Sequence, residues 1–257
     1  MINVRTPQSI FEIKQTARKT LQQQPQSILK LGWAPVLLLM GIIYLAMRWV
    51  MNFVAQLPAT ATYDQIYTAM TKLLANNPQI YQQVFWYSVE ARLAYFLIFT
   101  GVTFTCLDLL RQPHQSLGWS SAWQLFSSRY FFATISLWLV IFVISQLGFW
   151  LPAFLGLLVM LFVRYGFIMT YFIYKDLTRK QKLAWRQIWQ TLRLSWRLMR
   201  GHKLRFFFLD FSFVGWDLLN YFSWGVVNLY VAPYKAASYA AFYQDLLRLY
   251  EGKIIIK

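Results

Sequence analysis

The chain has 257 residues, of which 58% are hydrophobic and only 13% charged, with a net charge of +16. Soluble domains average roughly 45–50% apolar and about 25% charged residues, so too little charge is present to coat a soluble globule of this size. The single cysteine, Cys106, excludes an internal disulfide and a cysteine-based zinc site.

Residues 9–23 read as an amphipathic helix. Ser9 and Glu12 have the spacing of a capping box. Ile10, Ile13, Ala17 and Leu21 share one face, and Lys14, Arg18 and Lys19 lie on the others, a pattern expected of a helix on the cytoplasmic membrane surface. No secretory signal opens the chain, so the first apolar run is expected to remain as an anchor.

Six apolar runs follow, at about 33–55, 84–107, 130–147, 152–174, 204–222 and 225–246. Each approaches the roughly 20 residues needed to cross about 30 Å of hydrocarbon. Segment 58–82 is too polar to span, and Pro58 and Pro78 bracket a short surface helix with Ile66, Met70, Leu73 and Leu74. Asp108 and Arg111 end the second run one helical turn apart, the spacing of an exposed pair of little energetic weight. Segment 116–129, with Trp119, Trp123, Leu125 and Phe126, reads as another interfacial helix. Gly148 and Pro152 mark a tight turn.

Basic residues alternate between the gaps. Twenty of the 25 Lys and Arg fall in the N-terminal tail, the second gap, the segment 175–205 and the C-terminal tail, whereas the first gap has only Lys72. Short loops rich in Lys and Arg stay on the cytoplasmic side, so both termini are expected there. The fold class is therefore an all-α membrane protein: an N-terminal amphipathic helix over 1–30, then six transmembrane helices over 31–257, with further amphipathic cytoplasmic interfacial helices.

Ten of the basic residues lie in 175–205. Trp185, Ile188, Trp189, Leu192, Trp196 and Met199 recur there at helical spacing, with Arg186, Arg193, Arg197 and Arg200 facing elsewhere, and Gly201 is placed to end the helix. A basic helix bearing three Trp suits a membrane surface with anionic phospholipids. Positive-inside orientation already explains the charge and no nucleic-acid-binding motif accompanies it, so no nucleic acid is expected. A surface helix ahead of a two-run hairpin recurs near residues 9, 119 and 184, and the Trp119/Trp123 and Trp185/Trp189 pairs relate the last two units.

Ionisable residues inside apolar runs are candidates for function. Arg48 lies near the outer end of its run beside Trp49, where it can snorkel to the headgroups. Arg164, Asp210, Asp217 and Lys235 are harder to place at an interface. Arg164 lies roughly 15 Å from the inner end of its run, Asp210 roughly 9 Å and Asp217 roughly 20 Å. The two aspartates, seven apart, share a helical face, so a buried Arg164–carboxylate contact is expected, with Pro233 bending the helix that carries Lys235. Two readings stay open: pairing that fixes helix packing, or a polar cavity for a substrate, lipid headgroup or ion. Ala236, Ala237, Ser238, Ala240 and Ala241 form a small-residue packing surface.

No phosphate loop, metal-ligand spacing or nucleophile elbow is present, so neither enzyme nor cofactor is expected. The basic G-H-K turn, the L-D-F-S-F-x-G-W run, the mid-run A-P-Y and the closing A-x-F-Y-x-D-L within 198–246 resemble the signature of an uncharacterised family of bacterial integral membrane proteins, domain of unknown function 975. The stretch 165–177 is similar to the segment preceding it. The resemblance implies a multispan protein of the bacterial cytoplasmic membrane, with no known reaction. It includes Asp210, Gly215, Trp216, Pro233, Tyr234, Tyr239, Phe242, Tyr243 and Asp245 in the pattern, and Lys235 departs from the uncharged polar residue expected there. Lipid and membrane-protein partners follow, with an envelope scaffold or accessory role as the first expectation and a small transporter or lipid-handling protein as the second.

Overall fold

The computed structural model describes residues 6–55, 58, 60–114, 117–127, 130–180 and 185–250. These residues are helical throughout, in the order α1 (Ile10–Gln23), α2 (Gln26–Val54), α3 (Tyr63–Asn76), α4 (Gln79–Arg111), a 3₁₀ helix (Trp119–Phe126), α5 (Phe131–Gln146), a short 3₁₀ turn (Leu147–Trp150), α6 (Ala153–Phe167), α7 (Thr170–Lys180), α8 (Trp185–Leu198), α9 (Lys203–Phe211), α10 (Val214–Phe222) and α11 (Asn228–Tyr250).

Among the described residues, three stretches are long and apolar enough to cross a membrane: Gln26–Val54, Gln79–Arg111 and Ala153–Thr178. A fourth arises if Trp119–Phe126 and Phe131–Gln146, bent by 66°, act as one span. The last two of the six expected runs take other forms. Run 204–222 is split at Ser212 and Phe213 into two nine-residue helices, α9 and α10. Neither helix, nor the two taken together, is among the described stretches long and apolar enough to cross. Run 225–246 becomes α11, but Val231 to Tyr243 is almost wholly buried against other parts of the chain. Alternation of apolar runs carried no information about which of them face lipid and which face protein.

One core unites the two ends of the sequence. Ile13, Ala17 and Leu21 of α1, Leu31 and Ala34 of α2, and Val102, Cys106 and Leu107 of α4 pack with Ala236, Ala237, Ala240, Phe242 and Tyr243 of α11. The small residues of α11 thus serve as the close-packing surface their size suggests. By contrast, the far half of α2, from Leu37 onward, and the first half of α4 leave most of their large apolar side chains uncovered.

Pro233 shapes this core. Lacking an N–H, it leaves the carbonyl of Leu229 without its helical partner. That oxygen faces Gly32, where a Cβ would sit only 2.0 Å away. Lys30 donates to the carbonyl of Leu117 at 2.8 Å, so the start of α2 also meets the loop after α4. The start of α11 therefore lies level with the start of α2.

The amphipathic helices are corrected in their use. The capping box of Ser9 and Glu12 is present, with Ser9 N–H donating to Glu12 at 2.7 Å and Glu12 N–H to Ser9 Oγ at 3.2 Å. Yet Ile13, Ala17 and Leu21 are buried on protein, chiefly α11, and not on lipid. Asp245 secures the N-terminal approach: it accepts from Arg205, from Arg248 at 3.0 Å and from the N–H of Gln8 at 3.3 Å. Ala122 and Leu125 of the 119–126 helix are likewise buried, against α4. Helical amphipathicity reports a buried face and does not say what buries it.

Candidate functional site: a charge cluster between α6, α9, α10 and α11

The four ionisable residues singled out inside the apolar runs converge. Arg164 Nη2 lies 3.1 Å from Asp210 Oδ2, Lys235 Nζ 3.4 Å from Asp210 Oδ1, and Lys235 Nζ 3.0 Å from Asp217 Oδ2. The result is an alternating chain of two cations and two anions. The Arg164–carboxylate contact is there, but it is not buried as expected: the Arg164 side chain is 58% exposed, against 11% for Asp210. Lys235 is 17% and Asp217 52% exposed, so the chain of charges has a sheltered middle and two open ends.

Asp210 is the hub. Tyr165 Oη donates to its Oδ2 at 3.2 Å and Tyr239 Oη donates to its Oδ1, so two phenols and two cations satisfy one carboxylate. Neither tyrosine was singled out as a partner for it, although Tyr165 adjoins Arg164 and Tyr239 lies one turn after Lys235.

The break between α9 and α10 lies between the two aspartates. At the break, Lys14 of α1 donates to the Ser212 carbonyl at 3.4 Å and to Ser212 Oγ at 3.0 Å, and its ammonium lies 4.4 Å from the Phe213 ring centroid. A cation at a helix C-terminus is favourable, because the last carbonyls lack partners. Burial, then the neighbouring Arg18, lower the pKa of Lys14. Ser212 and Phe213 keep near-helical backbone angles, and both aspartates, seven apart, reach Lys235 as residues on one helical face would.

A second network escaped sequence reasoning. Lys175 of α7 donates to Asp108 Oδ2 at 2.6 Å, to the Phe104 carbonyl at 2.6 Å and to Gln124 at 3.3 Å. Arg111 forms a two-pronged pair with Asp176 at 2.6 and 2.8 Å, and Tyr243 Oη donates to Asp176 at 2.9 Å. Asp108 and Arg111 thus do not pair with each other. Each takes an opposite charge on α7, because residues 175 and 176 offer a cation and an anion at one level of the neighbouring helix. The adjoining opposite charges at 108/111 and 175/176 were the available signal.

The candidate lipid-surface helix is α8. Ile188 and Leu192 are buried with Leu137 and Tyr174, and Met199 lies in the main core. Trp196 is also committed to protein: it packs against Phe162 and Phe167, and Gly166 leaves room for its ring. Lys203 Nζ lies 3.2 Å from the Phe162 ring centroid and 3.5 Å from that of Trp196, a cation held between two aromatic faces. Burial lowers the pKa of Lys203. Trp189, Arg193, Arg197 and Arg200 remain exposed. The side chains of Trp185 and Arg186 lie outside the described residues. Gly201 adopts φ +81°, the left-handed conformation expected after this helix.

No curated protein and no solved structure matches the chain. Residues 157–249, which carry Arg164, Asp210, Asp217 and Lys235, match the family described as "Protein of unknown function (DUF975)".

Proposed function

We propose that this is a non-enzymatic protein of the bacterial cytoplasmic membrane that organises or assists other membrane proteins. The observation that carries the reading is the mutual satisfaction of the intramembrane charges: Asp210 is committed to Arg164, Lys235 and two tyrosines, and Lys175 to Asp108 and two further acceptors. Charges so committed hold helices together and leave little to bind a polar substrate. The exposed face of α8, with Trp189, Arg193, Arg197 and Arg200, suits anionic phospholipid headgroups on the cytoplasmic side.

The topology within this reading is four crossings rather than the six suggested by the apolar runs, with both termini cytoplasmic. Helices α2, α4, α5 and α6–α7 supply the crossings, and α9–α10 enters from the inner side and turns back beside α2. Two contacts support this. Gly225, in the turn after α10, packs on Leu39, and Leu229 packs on Gly32. With six alternating crossings, the start of the first and the start of the sixth would lie on opposite faces, where those residues could not meet.

Extraction into native-lipid discs followed by native mass spectrometry tests the role. A stoichiometric membrane-protein partner is expected. A homogeneous single chain carrying lipid alone would overturn it in favour of a lipid-handling protein.

A further inference from the structure

Between the exposed half of α2 and α10 runs an open groove of about 670 Å³. Leu39, Ile43, Ala46 and Val50 line one wall, and Asp217 and Asn220 supply its polar groups. The size is that of a site for a small ligand or part of a lipid. Its wall of α2 belongs to a candidate membrane span, so hydrocarbon is the medium at its mouth.

Asp217 is an acceptor, and the Asn220 carboxamide has an acceptor oxygen beside its amide donor; Tyr221 and Trp224 also line the groove. The side-chain oxygen of Asn220 is buried with no hydrogen-bond partner among the described residues. A buried acceptor left unpaired is costly, and rotation of the Asn220 amide would present this oxygen to a donor in the groove. Asp217 gives Oδ2 to Lys235 but keeps a half-exposed carboxylate. The groove therefore offers apolar walls, an anion and an unmet acceptor, and asks for an apolar tail joined to a cationic donor.

We infer that the groove between α2 and α10 binds a phospholipid whose headgroup ends in a primary ammonium, with one acyl chain along Leu39 to Val50 and the ammonium between Asp217 and Asn220. Phosphatidylethanolamine has this chemistry and no net charge. A quaternary ammonium has the same charge but no N–H to give Asn220, and an anionic headgroup meets Asp217 with like charge. This site stands whether the protein gathers partners or handles lipid, because it concerns a lipid held and not one moved.

The test uses the full chain, purified in mild detergent and depleted of lipid, then incubated with phosphatidylethanolamine or phosphatidylcholine of identical acyl chains. Native mass spectrometry reads the bound fraction. Phosphatidylethanolamine is expected to be retained about tenfold better, the ratio that one charge-assisted hydrogen bond supplies. Asp217→Asn should erase most of that preference, and Asn220→Leu provides the same reading should the first variant fail to fold. Ala46→Trp, at an exposed position on the groove wall, should reduce retention of both lipids. Equal retention of the two lipids, or an unaltered preference in folded Asp217→Asn or Asn220→Leu protein, would overturn the assignment.

Discussion

Gly32 and Leu229 meet because a third residue, Pro233, removes the hydrogen-bond partner of the Leu229 carbonyl. The oxygen turns toward the one position on α2 without a side chain in its path, where a Cβ would stand 2.0 Å away. Gly32→Ala must therefore separate two backbones and not merely rotate a side chain. Overpacking costs about 1–3 kcal/mol, and a backbone obstacle belongs at the upper end. Gly41, on the same helix with nothing within 4 Å, is the control, and Gly41→Ala should leave stability unchanged or raise it by up to about 1 kcal/mol. Thermal unfolding of the two purified variants in the same detergent checks both expectations.

Asp210 and Arg164 should respond very differently to neutralisation, although they form one ion pair. Asp210→Asn strands Lys235 and Arg164 beside a neutral amide, and breaking a sheltered pair in this way costs about 3–5 kcal/mol. Arg164→Gln removes a half-exposed partner and should cost about 0–1 kcal/mol. Exchange of the two, Arg164→Asp with Asp210→Arg, should not rescue stability. It would set a guanidinium against Lys235 and leave Tyr239 without its acceptor. Recovery of wild-type stability by the exchange would show that the pair acts alone.

Lys175 presents a related case in which removing both charges is milder than removing one. Asp108→Asn leaves a sheltered ammonium with only neutral close acceptors, among them the Phe104 carbonyl and Gln124. The loss should be about 3–5 kcal/mol, whereas Asp108→Leu with Lys175→Met should lose less than the sum of the two single changes. A double-mutant cycle on thermal stability measures the difference.

Four crossings and six make opposite statements about Ser223. In a chain with Cys106 replaced by Ala, Ser223→Cys should resist a membrane-impermeant maleimide applied from outside intact cells, while Asn77→Cys, at the end of α3, should react. Outside labelling at Ser223→Cys would restore the sixth crossing.

His202 gives stability a mild dependence on pH. Burial, and then Arg205, lower its pKa in the folded protein, with Asp245 opposing. The folded state thus binds this proton less readily than the unfolded chain, whose histidine titrates near 6.5. No stability is lost above that value. As pH falls through about 6.5 toward the folded pKa, the unfolded chain gains protons first and stability declines, levelling off below the folded value. His202→Gln should flatten thermal stability across that window.

Much of the helical content was legible because polarity and capping are local. Ser9 and Glu12 mark the start of α1, and Gly148 with Pro152 marks the turn before α6. The meeting of Arg164 with Asp210 followed from depth along two helices. What the sequence withheld concerns neighbours. The face carrying Ile13 and Ala17 fits lipid or protein equally well by pattern. The break at Ser212 is closed by a lysine 198 positions earlier, a distance over which periodicity says nothing. The joint pairing of 108/111 with 175/176 required knowing that α4 and α7 are adjacent.

The contacts of α1 also fix an order of events during synthesis. Its partner Ser212 follows Lys14 by 198 positions, Tyr234 comes later still, and Gln8, just ahead of α1, is joined to Asp245 across 237 positions. Until α11 is made, α1 must wait with Ile13, Ala17 and Leu21 uncovered, so a chain cut short before α11 keeps this apolar face exposed.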